Sequence, residues 1–305
     1  MGKGKIFNLP LVGRFAIVPD RHGAGNLPAD AAFLTNLSVK VFDKDGKEKL
    51  VRDYFGSGKL QKMWHSALYR NKTELDLGSG LVTNVGVLTL ANDSLWSVTN
   101  APNNILRYLK YHATGTGVTA AAATDIKLQT ASGFGGQTPV AGTQVLVSAA
   151  NLQKYQSVAT ISYTGTEAVT EWGFLAYDST LPATTALSDA TGSPFTSGSA
   201  TTGTVTATPL TASSATVMGQ QMSIIENTGN ATPHWGVITS NTTSVVTVPA
   251  WYKVADGTAA GTTPANTNAY VLRPIMWDHK VFSAINVNSG DSIQFTYTLT
   301  INSGG

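Results

Sequence analysis

The chain has 305 residues, enough for two or three modest domains, and its 42% hydrophobic share can supply buried cores, yet only 12% of residues are charged, about half the usual globular fraction. There is no cysteine, which excludes disulfide frameworks, thiolate metal sites and cysteine nucleophiles. The net charge of +2 hides an asymmetry: residues 1–75 hold 13 Lys/Arg against 7 Asp/Glu, a balance of +6, and the remainder carries −4. A basic first quarter on a mildly acidic body is expected to meet different neighbours from the rest.

Residues 1–35 read as an arm, because Pro19, Gly23, Gly25 and Pro28 break any regular element. Met1 to Pro10 holds no continuous apolar run, so no export signal is expected, and no stretch reaches the length of apolar residues that spans a bilayer. A hairpin follows, with Ser38–Phe42 and Leu50–Val51 joined at Asp45-Gly46. Lys59–Tyr69 places Leu60, Met63, Trp64 and Leu68 on one stripe and predicts a short helix.

From Leu81 the pattern changes to strands. Val82–Leu90 and Leu106–Tyr111 are candidates, and Ser157–Thr164 leads through Gly165-Thr166 to Ala168–Tyr177. Residues 191–215 are low-complexity, 20 of 25 being Thr, Ser, Ala or Gly, and suit either a flexible linker or, over Thr201–Thr208, a strand pairing with those that follow. Met222–Ile225, Trp235–Ile238 and Ser244–Val248 are short strands. Near the end, Ile293, Phe295, Tyr297, Leu299 and Ile301 alternate with polar residues, so one face goes to a core; with Val281–Val287 and the turn Asn288–Asp291 this predicts a closing hairpin. The expected fold is mainly β: an antiparallel β-sandwich or barrel body over 76–190 plus 271–305, an inserted small β-lobe over 191–270, and 1–75 as basic arm, hairpin and short helix for docking.

Chemical motifs fail one by one. Gly56-Ser57-Gly58-Lys59 lacks the first glycine of a phosphate loop, since Asp53 stands there, and lacks its Ser/Thr, since Leu60 follows. Gly115-Thr116-Gly117 lacks a third glycine and reads as a turn. Asp43-Lys44-Asp45-Gly46 has its glycine too early for a calcium loop and reads as the hairpin turn. His22, His65, His112, His234 and His279 fall in no metal-ligand spacing. Asp278-His279 would suit an oriented base, but no GxSxG context accompanies it, and the pair reads as a polar strand edge. Glu167 and Glu171 share one side of a strand roughly 13 Å apart, without further support for a carboxylate pair. Trp172, Trp235, Trp251 and Trp277 read as core or interface aromatics rather than sugar platforms. No catalytic, cofactor-binding or metal residue is assigned, and no enzyme is expected.

Three stretches together resemble tailed-bacteriophage virion structural proteins. They are Tyr111–Asp125 with Leu128-Gln129-Thr130 (a GTGTTAAAA-type turn), Ala168–Phe174 (a TExGF-type strand), and Val281–Val287 with Gly290–Ile293 (a VFxxIxVxxGDxI pattern). The resemblance covers about 76–180 and 271–303 and implies a tail-fibre, minor tail, collar or head-associated component, made in the bacterial cytoplasm and carried on the virion. Expected partners are other virion proteins of capsid, neck or tail and further copies of itself in a symmetric homo-oligomer, with no membrane and no specific nucleic acid. The alternative is a receptor- or glycan-binding module of a tail fibre that uses the tryptophans of 191–270 on a host surface glycan. A capsule depolymerase ranks last.

Overall fold

A computed structural model describes residues 33–48, 74–78, 81–86, 108–149, 152–176, 194–205, 210–212, 223–229 and 231–302. Among the described residues all strand pairs are antiparallel, and the sheets are open rather than closed into a barrel. Helix among them is confined to a turn at Asn84–Gly86 and the single residue Tyr108, so no described helix is long and apolar enough to cross a membrane.

One sheet has five strands in the order β2 (Glu74–Gly78), β1 (Phe33–Phe42), β17 (Ser292–Asn302), β7 (Leu152–Ser162) and β6 (Thr143–Ala149). The second runs β15 (Tyr252–Lys253), β12 (His234–Val237), β11 (Ser223–Asn227), β16 (Tyr270–Val287), β8 (Glu167–Ala176), β4 (Leu109–Gly115) and β5 (Val140–Ala141), with β3 (Leu81–Val82) also on β16. The third holds β13 (Ser240–Asn241), β14 (Val245–Thr247), β10 (Thr202–Val205) and β9 (Phe195–Gly198).

The first two sheets form a sandwich. The alternation read in the C-terminal segment holds: Ile293, Phe295, Tyr297 and Leu299 are buried, with half-buried polar residues between them. They meet Leu37, Val39 and Val41 of β1 and Ile161 of β7 on one wall, and Trp172 and Phe174 of β8 on the other. The Phe174 and Tyr297 rings stack across the sandwich at 4.0 Å.

The second sheet is also the wall of another core. Neighbouring residues split between them: Ile224 and Val237 go to the sandwich, whereas Ile225 and Ile238 pack with Phe195, Val246, Trp251 and Leu272 under the third sheet. Strands covered on both faces need apolar residues at consecutive positions, which explains why Ser223–Asn227 and His234–Val237 show no exposed residue. The low-complexity tract contributes β9 and β10 to this sheet, with Thr202 opposite Thr247; its strand reading holds there.

Several expectations change. The arm predicted over 1–35 does not include Phe33, Leu34 and Thr35, which pair with Ile301, Thr300 and Leu299; residues 1–32 lie outside the described residues. The Asp45-Gly46 turn forms, with Gly46 at φ +75° and Asp43 Oδ1 accepting the amides of Asp45 and Lys47 at 3.0 and 2.9 Å; its return arm at Leu50-Val51, the helix at 59–69 and Gly56–Lys59 lie outside the described residues. Of the expected strand Val82–Leu90, residues 87–90 lie outside the described residues; up to Gly86 only Val82 is in a strand, because Thr83 Oγ1 then accepts the amide of Gly86 and starts a helical turn, while donating to the Met276 carbonyl.

The closing hairpin is the main correction. β16 and β17 lie in different sheets, so Asn288–Asp291 is an arch across the sandwich. A hairpin would put both apolar faces on one side of one sheet; the arch turns them toward each other across the core. β7 and β8 do the same through Tyr163–Thr166, and the two arches lock together: the Tyr163 amide donates to the Asp291 carbonyl at 2.9 Å, and Gly290 donates back to Tyr163 at 2.8 Å. β5 and β6 cross between sheets in one residue, Gly142. A Cβ there would collide with Ser157 Oγ and stand 3.0 Å from the Lys110 carbonyl. Gly142→Ala is therefore expected to cost about 1–3 kcal/mol by urea denaturation. Gly133→Ala, with nothing within 4 Å of its added methyl, should leave the midpoint in place.

Candidate functional site

The chemistry-bearing residues gather on the outer side of the second sheet, beneath the segment 115–133 that links β4 to β5. Within β8, Glu171 is fully buried on this side, and His279 of β16 is fully buried beside it. A lone buried carboxylate costs several kcal/mol unless it is paired and hydrogen-bonded. Glu171 meets both conditions. Its Oε2 accepts the amides of Gly117 at 3.1 Å and Thr130 at 3.2 Å, its Oε1 accepts the Gln129 amide, and Oε1 also lies 2.9 Å from His279 Nε2.

His279 Nδ1 stands 2.6 Å from Asp125 Oδ2, so the imidazole lies between two carboxylates. Burial by itself lowers its pKa, but the hydrogen bonds and charges of Asp125 and Glu171 outweigh burial and raise it to about 9. The ring is an imidazolium at neutral pH, donating from both nitrogens. Asp125 in turn accepts the Ala122 amide at 2.7 Å, and Gln129 bonds both amide and carbonyl of Thr119. Glu167, two pleat repeats away, accepts Ser132 Oγ and the Gly133 amide. Glu171 thus ties the start of the loop to its later part, and Glu167 holds the residues just beyond.

This arrangement accounts for the glycines of the Gly115-Thr116-Gly117 turn. A Cβ on Gly115 would collide with the Thr130 carbonyl, and one on Gly117 would lie 2.5 Å from Glu171 Oε2. It also corrects the reading of Asp278-His279 as a polar strand edge: both are fully buried in the middle of the sheet. Asp278 faces the opposite side, by Tyr297, whose pKa is raised by burial and then by the Asp278 charge.

A second histidine has the outline of a nucleophile pair without its chemistry. His112 Nε2 is 2.9 Å from Ser157 Oγ, but Trp172 Nε1 donates to His112 Nδ1 at 3.2 Å, so the proton sits on Nε2 and the ring donates to the serine. Ser157 passes its own proton to the Lys110 carbonyl at 3.2 Å. Burial holds the His112 pKa down to about 3. In this tautomer the ring is no base toward Ser157, and both groups are sealed in the core.

His234 is buried in the second core, where it bonds Asn227 at 3.2 Å and the Thr232 carbonyl at 3.1 Å, and burial lowers its pKa. Close by, Arg273 and Glu226 form a buried ion pair. His22 and His65 lie outside the described residues. Trp172, Trp235, Trp251 and Trp277 are all at most 3% exposed, so none presents a platform to a sugar; Trp235 instead stacks on Tyr252 at 4.9 Å. Among the described residues, no group of three or more His, Asp or Glu is placed to hold a metal ion. A shallow depression of about 400 Å³ lies beside the loop, lined by Leu81, Val118, Ala120, Ala121, Lys280 and Val281, with His279 at its floor.

The partnership of Glu171, His279 and Asp125 was not read from the sequence. Its one local signal is a glutamate midway along the largely apolar stretch Ala168–Phe174; His279 stands 108 positions from Glu171 and 154 from Asp125 along the chain. No family model matches the chain, and searches of curated proteins and of solved structures find no match either.

What the cluster does chemically is fasten a loop. Two predictions follow from its charges. His279 has a folded pKa above its unfolded value, so its contribution is complete below pH 6.5, declines as pH rises and is gone above about 9. The unfolding free energy should therefore drop by roughly 3 kcal/mol across that window, and His279→Gln should abolish the drop. Glu171→Gln should cost about 3 kcal/mol and speed hydrogen exchange at Gly117, Gln129 and Thr130, while the amides of β7 and β17 keep their protection.

Proposed function

We propose that this chain is a structural protein of a tailed-bacteriophage particle, acting by assembly and contact rather than by catalysis. The observation that carries the reading is convergence. The three stretches that carry the resemblance, far apart in sequence, form one packed unit. Gly117, Gln129 and Thr130 of the first bond Glu171 of the second. Val281, Ile285 and Val287 of the third pair with Glu171, Val169 and Glu167.

The role of those motif residues is to build a stiff scaffold. Their glycines admit close packing, their glutamate fastens a loop, and Gly290-Asp291 form an arch. A two-core β-structure with few charges suits a part that is held among repeated neighbours, as head decoration or as a neck, collar or tail component. The glycan-binding alternative loses the contacts it relied on, since Trp235 and Trp251 are core residues.

The test is quantitative mass spectrometry of purified particles against the major capsid protein. Hundreds of copies would place the chain on the capsid lattice, and a few to a few dozen on a vertex, collar or tail; none would overturn the reading. Deleting residues 1–30, which leaves β1 whole, is expected to abolish incorporation without loss of the β-sheet circular dichroism signal. Normal incorporation of the shortened chain would show that docking lies elsewhere.

A further inference from the structure

We infer that β6 is a self-association edge, through which two copies of the chain pair antiparallel about a two-fold axis at Leu146. Among the described strands β6 ends its sheet, with β7 on one side and none on the other. Its pairing with β7 runs from Thr143 to Ala149 without a register shift, so the outer edge is straight. Such an edge is a template for another strand, and proteins blunt edges that must stay single with charge, proline, bulges or shortness. β6 has none of these: its sequence, TQVLVSA, contains no charge and no proline.

The other edges are protected. β2 carries Glu74 and Asp76 and its partner ladder shifts register at Leu37/Ser38. β5, β13 and β15 have two residues each, and β9 has four, with Phe195 turned into the core.

Side-chain exposure points the same way. Leu146 stands opposite Tyr155, which packs against the sandwich core, and so lies on the core-facing side of the sheet. It is nevertheless 70% exposed, while Val145 on the other side is 43% exposed. Among the described residues, nothing of the chain's own core reaches this inward-facing apolar side chain, which leaves it open to cover by a partner.

The sequence identifies the cover as a second copy. Read outward from Leu146, β6 runs Val-Gln-Thr in one direction and Val-Ser-Ala in the other. A two-fold axis at Leu146 sets position 145 opposite 147, 144 opposite 148 and 143 opposite 149, so valine stands opposite valine, Gln144 opposite Ser148 and Thr143 opposite Ala149. The two leucines face one another on the axis. Cross-strand apolar pairs stabilise such a ladder, and like charges, which would oppose it, are absent. The product is a continuous ten-stranded sheet with an isologous contact. This supplies the contact for the oligomer in the proposed function but rests on the strand alone.

The test uses the full chain. Sedimentation equilibrium over a wide concentration range is expected to show a monomer–dimer equilibrium, and Leu146→Lys to raise its dissociation constant about tenfold or more. Because the chain has no cysteine, Leu146→Cys introduces a single thiol at the axis, expected to oxidise to a disulfide-linked dimer faster than Val118→Cys, a 78% exposed control elsewhere on the surface. A monomer at every concentration, a trimer or larger ring, or cross-linking no faster than the control would overturn the inference. None of these results bears on the particle copy number, so the two readings fail separately.

Discussion

One eighteen-residue strand, its first ten residues all buried, sets the terms for the whole fold. β16 leaves the second core at Tyr270 and Leu272 and enters the sandwich by Ile275, pairing with β11 over Tyr270–Pro274 and with β8 from Ile275 to Val287. Such a strand cannot stand at a surface, because each face would expose a row of apolar groups. It requires the five-stranded sheet over one face and, at its beginning, the four-stranded sheet over the other. Lobe and body are thereby joined through one continuous sheet.

The outer face of β8 and the later part of β16 needs a cover of a different kind, which the segment 115–133 supplies. That segment has little regular structure, so its backbone amides would go unpaired over an apolar surface. Glu171 solves this by accepting three of them at once, and His279 with Asp125 settles the resulting buried charge. The arrangement is a polar keystone within apolar packing: fully satisfied it is rigid, and with any member missing the remaining charges are stranded.

How much of this was legible depended on the range of the interaction. The period-two pattern of Ile293–Leu299 is local and reports burial directly, so strand and inward face were readable. The destination of each strand was not, because Asn288-Ser289-Gly290-Asp291 can close a hairpin or cross a sandwich, and the alternation of the flanking strands is the same in both. The Asp45-Gly46 turn was readable for the same local reason. The Glu171 cluster was not, since the residues that make it sensible are spread over the chain from Gly117 to His279. Polarity alone makes Asp278-His279 read as exposed; a compensating partner far away in sequence removes that link.

The ladder between β1 and β17 has a mechanical side. Phe33 lies opposite Ile301 and Phe42 opposite Ser292, so the chain enters and leaves this pair at one pole of the sandwich, with the interlocked arches at the other. Tension between the segment before Phe33 and the one after Asn302 would open the ladder like a zipper, one pair at a time. Tension between the segment before Phe33 and the arch pole would instead load all ten residue pairs in shear together. The β1–β17 ladder is thus weak against a pull that separates Phe33 from Ile301 and strong against one that drags Phe33 away from the arch pole.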